Sequence, residues 1–90
     1  MMMTHYLSVK AQFRPEVLER ILRVVRHRGF TISMMNMRQE THNRITIDMV
    51  VFSERQEQFL TRQLEKLSDV EFVITQHSQT QAQLIAYQTL

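Results

Sequence analysis

Ninety residues make one small domain, because independently folding domains run to roughly 100 residues or more and a second has no room. A chain of this size buries only about 60–65% of the surface its unfolded state exposes, so extra burial against a second copy or a larger partner is expected. The absence of cysteine excludes a disulfide framework and a thiolate metal site. With 43% hydrophobic residues, 22% charged residues, one Gly and one Pro, a disordered or linker-rich chain is excluded too.

The net charge of +2 is spread unevenly. Residues 1–52 hold eight Lys and Arg against four carboxylates, and residues 53–90 hold three against five. This mild dipole falls short of the continuous basic stripe of a dedicated nucleic-acid binder. No apolar run approaches the roughly 18 residues needed to span a bilayer. The start, Met1 to His5, lacks the pattern of a secretory leader, so a cytoplasmic chain is expected, with no membrane partner.

Leu7, Val9, Ala11 and Phe13 alternate with Tyr6, Ser8, Lys10 and Gln12, which predicts a half-buried strand over 5–13. Pro15 suits the first turn of a helix. Val17, Leu18, Ile21, Leu22, Val24 and Val25 form its apolar stripe, and Arg26, His27 and Arg28 complement its C-terminal dipole. Gly29 stands where a left-handed residue ends a helix. The uncharged run from Phe30 to Met37 predicts a second strand, and residues 38–43 a polar hairpin loop. Arg44 to Phe52 returns as a third strand, with Ile45, Ile47, Met49 and Val51 on one face.

Ser53 with Gln56 reads as a capping box opening a second helix, with Phe59, Leu60, Leu64 and Leu67 facing inward. Val70, Phe72 and Ile74 alternate along a last strand. The order β-α-β-β-α-β predicts an α+β, ferredoxin-like fold: a four-stranded antiparallel sheet with two helices on one face. The first and third strands take the centre. Lys10 and Asp48 then fall on the helix-free face of adjacent central strands, as near neighbours. The domain is expected over residues 1–77, followed by a polar, Gln-rich tail over 78–90.

Catalytic chemistry is not visible. His5, His27, His42 and His77 lie far apart without carboxylate clusters, and read as surface histidines rather than metal ligands. A single Gly excludes a Gly-rich phosphate loop. No catalytic residue, metal ligand or cofactor site is predicted. The informative feature is the second strand. At a sheet edge, Phe30, Ile32, Met34, Met35 and Met37 lie in a stretch with no charge to guard it, whereas Asp69 and Glu71 interrupt the other edge. This predicts a homodimer, the second strand pairing with its own copy across a two-fold axis and the first helix alongside. RNA binding through the open sheet face would call for aromatics on the central strands, and no such pair is predicted.

Pro15-Glu16-Val17-Leu18-Glu19-Arg20-Ile21, Arg26-His27-Arg28-Gly29-Phe30-Thr31-Ile32 and Gln63-Leu64-Glu65-Lys66-Leu67-Ser68-Asp69-Val70 together resemble the ACT domains of acetolactate synthase (acetohydroxyacid synthase) regulatory subunits. The resemblance spans about Leu7 to Gln76. It implies a non-catalytic subunit of branched-chain amino acid biosynthesis whose partner is the large catalytic subunit. Thiamine diphosphate, Mg²⁺ and FAD would belong to that partner, with none in this chain. It also implies an effector pocket at Phe13, Arg14, Glu16, Val17, Thr31 and Ile32. The family pattern there has Asn, Gly and Asn where this chain has Phe13, Glu16 and Thr31. Glu16 would repel an amino-acid carboxylate, and a lost hydrogen bond to that charge weakens binding roughly ten- to a hundredfold, so little or no valine feedback is expected. A free-standing amino-acid sensor is the alternative reading. The open face around Lys10 and Asp48, with the tail, is the expected contact for the catalytic subunit.

Overall fold

A computed structural model describes residues 2–76. The chain runs β1 (Met3–Gln12), α1 (Val17–His27), β2 (Thr31–Glu40), β3 (Arg44–Ser53), α2 (Glu57–Glu65) and β4 (Val70–Gln76). The strands form one sheet in the order β2-β3-β1-β4, with β1 antiparallel to both β3 and β4 and β2 antiparallel to β3. The predicted α+β fold and strand order are therefore present. The tail expected over 78–90 lies outside the described residues.

The core lies between the sheet and the two helices. Leu7, Val9 and Ala11 from β1 and Ile45, Ile47, Met49 and Val51 from β3 are buried there, as their alternation requires. Val17, Ile21 and Val25 of α1 and Leu60 and Leu64 of α2 close it from above. Helix α1 ends as its sequence dictates. Gly29 takes a φ of +85°, the Phe30 N–H reaches Val25 O at 3.0 Å, and the Gly29 N–H reaches Arg26 O at 3.1 Å. This is a Schellman motif, with Phe30 and Val25 both buried beneath it. A side chain at position 29 would be strained, and its Cβ would stand 3.2 Å from Arg55 Nε.

Several expectations need correction. Ser53 ends β3 and does not cap α2. Its Oγ donates to Gly29 O at 2.8 Å and accepts from the Arg55 N–H at 3.0 Å, so α2 begins only after Gln56. Phe59 is not in the core but 40% exposed, with the Arg55 guanidinium 4.6 Å from its ring centre. Strand β2 runs three residues further than predicted, through Arg38, Gln39 and Glu40, because these pair with Thr46, Ile45 and Arg44 of β3. The turn is then only Thr41 to Asn43, with His42 and Asn43 both at a φ of 61°.

His5 is not a surface histidine. It is buried, its Nε2 donates to Arg55 O at 3.0 Å, and its ring lies 5.9 Å from that of Phe30. His27 and His42 are exposed, and His77 lies outside the described residues.

The largest departure is in β4. The register slips between Lys10 and Ala11, so that Val70 lies opposite Ala11 and Phe72 opposite Lys10, with Glu71 bulged between them. One extra residue moves every later side chain to the other face. Val70 stays buried, Val73 packs on the core, and Phe72 and Ile74 emerge on the helix-free face, 47% and 43% exposed.

Candidate functional site: the β2 edge and the open sheet face

Strand β2 pairs with β3 along one side, and the described residues add no strand on the other. Its side chains do not alternate as simply as the sequence suggests. A bulge at Ser33 shifts the register between Ile32 and Met34, and Ser33 Oγ donates to Val50 O at 3.2 Å. Ile32, Met35 and Met37 therefore share the helix side with their partners Val51, Met49 and Ile47, while Met34 joins Val50 on the open face. Met35 and Met37 are 37% and 44% exposed, beyond the reach of α1. Phe30 is not an edge residue at all, being 3% exposed inside the helix-ending motif.

The positions implied as an effector pocket fall into two groups. Phe13 is exposed, and its N–H donates to Asn43 O at 2.7 Å. Arg14 Nε lies 3.2 Å from Asp69 Oδ1, and Arg20 stands 3.6 Å from the other Asp69 oxygen while also pairing with Glu16 at 3.3 Å. Asp69 is largely covered, so this carboxylate pins the start of α1 to the α2–β4 turn. Asp69 was expected to guard the β4 edge and serves this tie instead. Val17 is buried and belongs to the core. Thr31 and Ile32 stand elsewhere: Thr31 lies opposite Phe52 and Gln12 opposite Arg44, so about 26 Å of β3 separates the two groups within one chain.

The open face carries a polar ladder across all four strands. Ser8 Oγ donates to Asp48 Oδ1 at 2.8 Å, and Arg38 pairs with the other Asp48 oxygen at 3.4 Å. Gln12 donates to Glu71 at 2.8 Å, and Arg44 pairs with Glu71 at 3.3 Å. Lys10 and Asp48 share this face on adjacent strands, as expected, but they are not each other's partners. Lys10 lies opposite Thr46, donates to its Oγ1 at 2.8 Å, and stands 3.8 Å from Glu40.

Thr46 Oγ1 in turn donates to Glu40 Oε1. That hydrogen bond, aided by the positive charges of Lys10, Arg38 and Arg44 and only partly opposed by desolvation, holds the Glu40 carboxyl below the ordinary carboxylate value. A lowered folded-state pKa means the fold favours the carboxylate. Its contribution is complete above the unfolded-chain pKa and disappears as pH falls through the lowered one. An NMR titration should thus place the Glu40 midpoint below that of an unfolded-chain glutamate, and Thr46→Val should raise it toward the ordinary value. An unchanged midpoint in the variant would show that the hydroxyl contributes nothing.

Above the ladder the face is apolar. Tyr6 on β1, Val50 and Phe52 on β3, and Phe72 and Ile74 on β4 all point this way, so each of these three strands contributes one aromatic ring. The expectation that the central strands lack paired aromatics overlooked Phe52, which stands two residues along β3 from Tyr6's partner Val50, on the same face. Among the described residues there is no group of three or more His, Cys, Asp or Glu placed to hold a metal ion, and no helix long and apolar enough to cross a membrane.

The two helices on one side of this sheet and the ACT-domain family model that matches residues 13–73 define the class: an ACT domain. The ACT domain of the GTP pyrophosphokinase of Chlorobium tepidum superposes with a TM-score of 0.73 at 13% identity, covering 84% of this chain and all of that one. A homoserine dehydrogenase of Thiobacillus denitrificans superposes at 0.68 with 23% identity, covering 83% of this chain and 17% of that one. Both likenesses concern the fold alone. The acetolactate synthase isozyme 2 small subunits of Escherichia coli (strain K12) and Shigella flexneri are each 47% identical over 85 residues, covering 93% of this chain and 98% of theirs. The chain belongs to the acetolactate synthase small-subunit family, built on an ACT domain.

Proposed function

We propose that this chain is the non-catalytic regulatory subunit of an acetolactate synthase and acts by docking on the large catalytic subunit. The observation that carries this reading is the 47% identity to small subunits over nearly their whole length. Thiamine diphosphate, Mg²⁺ and FAD are assigned to the catalytic partner, and the setting is branched-chain amino acid biosynthesis in the cytoplasm. Docking raises activity by favouring the ordered, closed state of the catalytic subunit, a population shift set by differential affinity for the two states.

The working form is a homodimer through β2 and α1. The β2 edge, which takes no further strand among the described residues, and the exposed Met35 and Met37 support it. An antiparallel pairing centred near Met35 also sets Thr31 of one copy beside Gln39 of the other. It thereby brings the two groups of effector positions to within three strand spacings, about 14 Å, against about 26 Å in a single chain.

Valine feedback is weak or absent in this reading. Support comes from the β1–α1 loop, where Arg14 and Arg20 are already engaged by Asp69 and Glu16. An effector carboxylate would have to compete with Asp69 and Glu16 for these cations and approach the Glu16 charge. The test is reconstitution: adding the chain to isolated large subunit should raise acetolactate formation severalfold, with valine leaving the rate nearly unchanged. No rise on addition would refute the subunit role. Inhibition by valine at micromolar concentration would refute the weak-feedback assignment.

A further inference from the structure

The open sheet face divides into two parts with different chemistry. The polar part holds Lys10, Arg38 and Arg44 together with Glu40, Asp48 and Glu71, and each of these six groups has an ion-pair partner among the other five. Its net charge is zero, each charge being matched within the chain. The apolar part is L-shaped. It runs across the sheet through Met34, Val50 and Tyr6, with Phe52 beside Val50, and then down β4 through Ile74 and Phe72. With strands about 4.8 Å apart and same-face residues about 6.6 Å apart, its six residues cover roughly 200 Å² of the sheet as one contiguous strip rather than as singly scattered side chains.

We infer that this L-shaped patch seats an apolar, uncharged surface of the catalytic subunit, an inference that rests on the subunit role proposed above. Charge complementarity selects the occupant. Among the described residues the ionised groups on this face are paired with one another, so a charged partner surface would compete with those pairs, whereas a neutral one leaves them intact as a polar rim. RNA is disfavoured on the same ground, since phosphate binding needs cations that are free to accept it. The exposed cations Arg23 and Arg26 on α1, and Arg28 at its C-cap, lie across the sheet from this face.

Geometry leaves the face free for such a partner. Pairing through the β2 edge extends the sheet sideways and sets both copies' open faces on the same side of one continuous surface. Two whole faces of roughly 600 Å² each then offer more than the ~800 Å² per partner of a stable interface. The bulge at Glu71 makes the patch what it is, because it turns Phe72 and Ile74 outward.

The experiment compares the wild-type chain with Phe72→Glu, Ile74→Glu and the milder Phe72→Ser, with the exposed Glu65→Lys on α2 as a control. Each is titrated into isolated large subunit while acetolactate formation is followed. Melting temperature and dimer mass are measured for each chain alone. The β4 variants should keep both properties and need at least tenfold more protein for half-maximal activation, while Glu65→Lys behaves as wild type. Carbene footprinting should label Phe52, Phe72 and Ile74 in the free chain and lose that labelling when the large subunit is added.

Activation by well-folded β4 variants at the wild-type concentration would overturn the assignment. So would protection already present in the free chain, which would mark a second copy or the chain's own residues 77–90 as the occupant, or protection by RNA alone. A wild-type chain that fails to activate refutes the subunit role itself. A wild-type chain that activates together with its variants refutes only the location.

Discussion

Leu60→Ala should lower stability by about 2–5 kcal/mol, while Phe59→Ala, which removes the larger side chain one position earlier, should cost about 1 kcal/mol or less. Leu60 is fully buried in α2, and its loss leaves a cavity between helix and sheet. Phe59 is 40% exposed and contributes chiefly its contact with the Arg55 guanidinium. A domain of this length has a total stability of about 5–13 kcal/mol, so the first substitution consumes a large fraction of it. Each kcal/mol corresponds to a shift of roughly 4–8 °C in a domain this small, so thermal unfolding separates the two variants clearly. Equal losses, or a greater loss at Phe59, would show that α2 is rotated from the orientation described.

Met35→Lys combined with Met37→Lys should weaken the homodimer a few hundredfold while leaving the fold of each chain intact. Both methionines are already more than one-third exposed in the single chain, so their replacement opens no cavity. Covering what remains exposed is worth about 1 kcal/mol per side chain, and a two-fold axis uses four of them, giving about 3–4 kcal/mol. The lysines add like charges on both sides of the axis. Sedimentation equilibrium across a concentration series measures the effect. A dimer that survives both substitutions, or a wild-type chain that stays monomeric at high micromolar concentration, would rule out assembly through this edge.

Helix α1 and the two central strands could be read from the residues because local signals and tertiary packing agree there. The Val17, Ile21 and Val25 stripe, the terminal cations and Gly29 all specify one helix, and Leu7 to Ala11 and Ile45 to Val51 alternate without interruption. The misreadings have physical causes. Ser53 carries a helix-capping signal, but its hydroxyl is claimed by Gly29, which is remote in sequence. In α2 only Leu60, Leu64 and Leu67 fall on one narrow line, and Phe59 is a full residue step, about 100°, away from it.

The bulges at Ser33 and Glu71 leave no mark in a two-residue period, since an extra residue looks like any other until its strand partner is known. The unguarded β2 edge was legible as a run without charge. The tie between Asp69 and the start of α1 was not, because it joins residues about fifty positions apart.

Glu71 also shapes how this polypeptide must live among others. By giving up one ladder position, β4 keeps the modest Val73 beneath the helices and leaves its two bulkiest hydrophobes half in water. Such a molecule is sticky whenever it outnumbers its counterpart. The strand's irregularity thus trades self-sufficiency for adhesion, and keeping the free chain dilute should keep it from clumping.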